Sequence, residues 1–124
     1  MTTPDWITPL FDAIDDQNTD GFVSFLAKDA HVRFGNGPTM KGKDAIFDGI
    51  EQFFSLIDSL SHDLSNIWSV DGAVVVEGQV TYDKGDDTTL TFPFCNVLHL
   101  DDNSTIERYY VYVDQSPLFE TLSD

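Results

Sequence analysis

Ala73-Val74-Val75-Val76-Glu77-Gly78-Gln79-Val80-Thr81-Tyr82-Asp83 is the stretch that decides the fold. Val74, Val76, Gly78, Val80 and Tyr82 fall on one face, and Glu77, Gln79, Thr81 and Asp83 on the other. Period-two alternation with one apolar face is the pattern of a half-buried strand. Asp71-Gly72 before it reads as a hairpin turn, and Lys84-Gly85-Asp86-Asp87 after it as a second turn. Working outward, the same period predicts strands over 62–69, 89–100 and 105–114, the last two separated by Asp101-Asp102-Asn103.

Toward the N-terminus the period changes. Trp6, Leu10, Phe11 and Ile14 have helical spacing, so a helix capped by Asp5 or Thr3 runs to about Asp16. Asp15-Asp16-Gln17-Asn18 is a polar break. A short second helix follows, with Thr19 or Asp20 near its cap and Phe22, Val23, Phe25 and Leu26 inward. Ala30 to Phe34 alternates as a strand, and Gly35-Asn36-Gly37-Pro38 is a turn. A third helix spans about Lys43 to Ile57 and buries Ile46, Ile50, Phe53, Phe54 and Ile57. Helices first and a long antiparallel sheet afterwards give an α+β class with the helices on one sheet face.

At 124 residues the chain is one domain, 1–124. Acidic residues number 22 against 6 Lys and Arg, a formal charge of −16. A polyanion such as nucleic acid needs a basic surface, so nucleic acid is excluded as a partner. An anionic membrane is disfavoured for the same reason, and no apolar run approaches the ~20 residues of a span. The single Cys95 excludes an intrachain disulfide, and the acidic start Met1-Thr2-Thr3-Pro4-Asp5 has no signal-peptide character. Both point to the cytoplasm, where the Asn103-Ser104-Thr105 sequon would carry no sugar.

Asp16-Gln17-Asn18-Thr19-Asp20-Gly21 matches the opening of an EF-hand loop, but Ala27 stands where the bidentate Glu is needed. A helix–helix turn explains the segment equally well. No phosphate loop is present, because Gly35-Asn36-Gly37 runs into Pro38 rather than into a helix. His31, His62 and His99 stand singly without metal-ligand spacing, so neither a metal nor a cofactor is expected. Cys95, within Phe92-Pro93-Phe94-Cys95-Asn96, reads as a small buried residue rather than a nucleophile.

The last strand, Ile106-Glu107-Arg108-Tyr109-Tyr110-Val111-Tyr112-Val113-Asp114, ends in a carboxylate. Period two puts Arg108, Tyr110, Tyr112 and Asp114 on one face. If that face lines a cavity, desolvation raises the Asp114 pKa and suits it to proton transfer. If it does not, Asp114 caps the strand end in water.

These segments together resemble the NTF2-like superfamily in its SnoaL-like, polyketide cyclase-like branch. The resemblance covers nearly the whole chain. Its carriers are the helical opening, Asp29-Ala30-His31-Val32-Arg33-Phe34, Lys41-Gly42-Lys43-Asp44-Ala45-Ile46 and His62 through Trp68. Val76 through Tyr82 and Arg108 through Asp114 complete the set. It implies a cone of three helices on a curved sheet around a mostly apolar pocket. It also implies that Asp114 matches an acid or base position used by several enzymes of the superfamily. Epoxide hydrolysis is disfavoured, because Gly78 and Val80 stand where that subgroup carries an Arg and an Asp. A steroid isomerase pattern would find Tyr110 and Tyr112, but no second acid is matched.

The resemblance and the strand phases predict a catalytic set of Asp114, His62 and Tyr112. His62 either partners Asp114 from the start of the strand after the third helix or is a packed histidine bonded to backbone. Trp6, Phe34, Phe54, Val80, Cys95, Val97, Tyr110 and Phe119 are the predicted pocket walls. Glu77 faces solvent or a partner subunit. Two functions fit: a cofactor-independent cyclase, isomerase or lyase acting on a small apolar or amphipathic molecule, or a non-catalytic binding or dimerisation module. With Cys95 and Val97 in the pocket, Phe92 and Phe94 are left outside, which predicts a homodimer through the outer sheet face.

Overall fold

The computed structural model describes residues 3–118. In chain order the elements are α1 (Ile7–Asp15), α2 (Thr19–Val23), β1 (Leu26–Phe34), β2 (Met40–Lys41), α3 (Lys43–Phe54), β3 (Ser59–Val70), β4 (Ala73–Asp83), β5 (Thr89–Leu100) and β6 (Ile106–Tyr112). The strands form one curved sheet in the order β2-β1-β6-β5-β4-β3. All pairings are antiparallel except β1 with β6. The α+β class with the helices covering one sheet face is the architecture the sequence predicts.

Local chemistry sets the boundaries. Asn18, rather than Thr19 or Asp20, caps α2, its side-chain oxygen accepting the Gly21 N–H at 3.0 Å. The EF-hand-like segment is therefore the junction between α1 and α2. α2 ends at Val23, so Leu26 is the buried first residue of β1 and not part of a helix. α3 stops at Phe54, yet Ile57 remains buried beyond it. β6 ends at Tyr112, two residues short of Asp114.

The inner face of the sheet is fixed by β4. Val74, Val76, Val80 and Tyr82 are buried against the helices, as their alternation requires. Residues directly opposite in an antiparallel pair share a face. Val80 pairs with Phe92, Gly78 with Phe94, Val76 with Asn96 and Val74 with Leu98. Phe92, Phe94, Asn96 and Leu98 therefore point inward, and Cys95 and Val97, opposite Glu77 and Val75, point outward. This reverses the predicted phase of β5.

β6 is reversed too. Leu100 pairs with Ile106, but Leu98 pairs with Tyr109, because the register shifts between His99 and Leu100. One extra residue flips every side chain beyond it to the other face. Tyr109 and Val111 are buried, whereas Arg108 and Tyr112 are exposed and Tyr110 is only half-buried.

Gly78 sits opposite Leu64, where β3 shifts register before Asn66. A Cβ at Gly78 would lie 2.1 Å from the Asp63 carbonyl oxygen and 3.0 Å from the Leu64 Cα. Both are backbone atoms and cannot rotate away. Gly78→Ala is expected to destabilise the protein by roughly 1–3 kcal/mol, the range for overpacking. Urea unfolding would read this as a lower midpoint, and an unchanged midpoint would contradict the close approach.

Candidate functional site

Between the inner sheet face and the helices lies a cavity of about 50 Å³. Phe34, Phe54, Val80 and His62 line it. Phe22, Phe53 and Phe94 add further aromatic wall. Among the described residues, no Lys or Arg lines the cavity.

His62 meets Asp15, not Asp114. One carboxylate oxygen of Asp15 lies 2.6 Å from His62 Nδ1, and the other accepts the His62 backbone N–H at 3.0 Å. The side chains are 10% exposed for His62 and 26% for Asp15. Asp15 is the last residue of α1, where the negative end of the helix dipole disfavours a carboxylate. The two donors of His62 offset that cost and tie the end of α1 to β3. The ring is flanked by Phe11 and Phe94, with centroids 5.0 and 5.2 Å away. A carboxylate can only accept, so Nδ1 carries the hydrogen. In the neutral ring, Nε2 is then left with a free lone pair.

Three further polar groups face the same space. Tyr82 Oη accepts from Gln115 Nε2 at 2.7 Å, and Tyr109 Oη accepts from Asn96 Nδ2 at 3.3 Å. Burial pushes the Tyr82 phenol up to about 12, partly opposed by the Gln115 bond. Burial pushes Tyr109 higher still, opposed by the Asn96 bond and reinforced by the Asp15 carboxylate and by Tyr82. Both phenols stay protonated across the physiological range. A phenol donates as well as accepts, so each hydroxyl keeps a hydrogen of its own to donate.

The remaining predicted residues lie elsewhere. Asp114 is exposed, and its Oδ1 accepts from the Ser116 N–H at 3.1 Å and the Ser116 hydroxyl at 2.7 Å. Those bonds hold its pKa below the ordinary carboxylate range, opposite to the predicted rise. Tyr112 is exposed and accepts from Arg33 at 3.1 Å, while Arg33 Cζ stacks 4.4 Å above the Tyr110 ring. Asp114 and Tyr112 border a broad open depression that shares Phe34, Phe53 and Val113 with the cavity. Trp6 borders a separate shallow depression with Phe25 and Ser104. Cys95 and Val97 are on the outer face, where burial and then the nearby Glu77 raise the Cys95 pKa. Phe119 lies outside the described residues.

The residues missed were Asp15, Asn96, Tyr82 and Tyr109. Asp15 was legible as a carboxylate ending an amphipathic helix, against the helix dipole. Asn96 was legible as a polar residue inside an apolar strand.

The SnoaL-like domain family is matched over residues 7–108, and the chain belongs to it, within the NTF2-like superfamily. No functionally curated protein matches in sequence. Solved structures of similar fold include an NTF2-like protein of unknown function from Burkholderia pseudomallei (14% identity, TM-score 0.85, 95% of each chain covered). A hypothetical protein with a ketosteroid isomerase-like fold from Catenulispora acidiphila, in complex with trimethylamine, is 20% identical with a TM-score of 0.80. That match covers 90% of this chain and 86% of the other. TerC, co-crystallised with polyporic acid, is 18% identical with a TM-score of 0.81 and 95% of each chain covered. At these identities the likeness establishes the fold.

Asp114 is expected to behave as a local cap. A carboxylate whose folded pKa is lowered adds stability above its unfolded value, near ~3.9, and loses it as pH falls through the folded value. Asp114→Ala should therefore be slightly less stable than wild type at pH 7, and the gap should close in acid. Thermal unfolding from pH 7 to pH 2 checks this. A mutant more stable than wild type at pH 7 would contradict it.

Proposed function

We propose that this protein is a cofactor-independent acid–base catalyst of the cyclase, isomerase or lyase kind, acting on a small, largely apolar molecule. The observation that carries the reading is the Asp15–His62 pair at the wall of an aromatic cavity. His62 Nε2 takes a proton from an acidic C–H of the substrate. Asp15 steadies the imidazolium that forms and keeps the ring oriented. The Tyr82 or Tyr109 hydroxyl donates to the oxygen on which charge develops. The proton then returns to another carbon in isomerisation, to the alkoxide oxygen left when the carbanion adds to a carbonyl in cyclisation, or to a departing hydroxyl in elimination. Phe34, Phe54 and Val80 pack the carbon skeleton. The small molecules held by the trimethylamine and polyporic acid complexes support a small-molecule ligand for this fold. The unpaired Cys95 suits a cytoplasmic setting.

A ketone with acidic α-hydrogens tests the reading without knowledge of the natural substrate. Wild-type protein should accelerate deuterium uptake into 2-tetralone in D₂O, followed by proton NMR. His62→Gln should lower the rate by about 10²–10⁴-fold, the usual contribution of a general base. Asp15→Asn should also lower it, because the amide can donate to Nδ1 and favour the wrong tautomer. Wild-type exchange no faster than buffer would leave a binding module as the better description.

We also propose a homodimer through the outer sheet face, on grounds other than Phe92 and Phe94, which point inward. Trp68, Val75, Val97 and Tyr110 are successive cross-strand neighbours on β3, β4, β5 and β6. They form an apolar row across that face, ending at Arg33 on β1. Sedimentation should return twice the chain mass for wild type and the single-chain mass for Trp68→Asp. A wild-type monomer at micromolar concentration would refute this.

A further inference from the structure

Asn96 is 2% exposed and lines the cavity, yet its Oδ1 accepts no hydrogen bond. A buried amide oxygen without a partner costs stability unless something supplies a donor. Its other amide atom is engaged, donating to Tyr109 Oη at 3.3 Å. Tyr109 Oη thus accepts and keeps its own hydrogen to give. The two side chains therefore present one open acceptor and one open donor side by side.

We propose that Asn96 and Tyr109 form a subsite that recognises a hydroxyl group of the ligand. This rests on the proposed function in taking the cavity as the substrate site. A hydroxyl group donates to Asn96 Oδ1 and accepts from Tyr109, so it completes both valences. A ketone or an ether accepts from Tyr109 but leaves Oδ1 bare. A carboxylate has nothing to donate to Oδ1. It would also meet the Asp15 carboxylate behind His62, in a cavity whose described lining carries no Lys or Arg. The Phe22 ring stands edge-on to Tyr109 with centroids 5.2 Å apart, so the subsite is walled by aromatic surface. Flat rings suit such walls.

The test compares the binding of 2-naphthol and 2-methoxynaphthalene by NMR titration. Wild type should favour the naphthol, and the preference should shrink about tenfold or more in Asn96→Leu/Tyr109→Phe. That double variant removes both polar groups together, so it should fold at least as stably as wild type. Asn96→Leu alone serves as a second variant and should also reduce the preference. His62→Gln should keep the preference intact, so failure of the proton-transfer reading is distinguishable from failure of this one. Equal binding of the two probes by wild type, binding of neither, or an unchanged preference in the folded double variant would overturn the subsite.

Discussion

The Asp15 carboxylate holds two parts of the chain at once. Its oxygens take the backbone N–H and the ring Nδ1 of His62, and so they fasten the last residue of α1 to β3. Most of the site follows from that contact. It aligns α1 across the sheet end, seats the imidazole between Phe11 and Phe94, and settles which ring nitrogen keeps a hydrogen. Without it, a carboxylate at a helix C-terminus would be an electrostatic cost with no return.

Among the described residues, the polar side chains lining the cavity are His62, Tyr82, Asn96 and Tyr109, and each has a partner: Asp15 for His62, Gln115 for Tyr82, and Asn96 and Tyr109 for each other. In each pair one member orients the other. Such preorganisation costs little reorganisation when charge appears on a bound molecule. The apolar remainder of the lining strengthens those interactions by keeping the local dielectric low. The contrast with Asp114 is instructive. That carboxylate satisfies itself with Ser116 at the surface, and its pKa falls rather than rises.

The fold was legible because β4 alternates cleanly and the helical half has a different period. The site was half legible. His62, Phe34, Phe54 and Val80 follow from element order, since each sits where its element meets the cavity. Strand alternation and family resemblance place Cys95, Val97, Tyr110 and Tyr112 on the inner face, and the structure places them on the outer one. Facing is a parity, and parity depends on register. The connection from Asp83 to Thr89 sets β5 so that even-numbered residues point inward with those of β4. The shift between His99 and Leu100 then inverts β6. Neither can be read from alternation within one strand. Local sequence presents Asp15 as part of a polar break. Its partner is 47 positions away, and only the packing of α1 on β3 brings them together.

Proton transfer by His62 Nε2 depends on the tautomer of the ring. Nitrogen-15 NMR of the neutral imidazole, with long-range coupling to the ring protons, reads it directly. The result predicted is a hydrogen on Nδ1, held by the bond to Asp15, and an unprotonated Nε2. A neutral ring protonated at Nε2, unchanged when Asp15 is replaced by Asn, would contradict it.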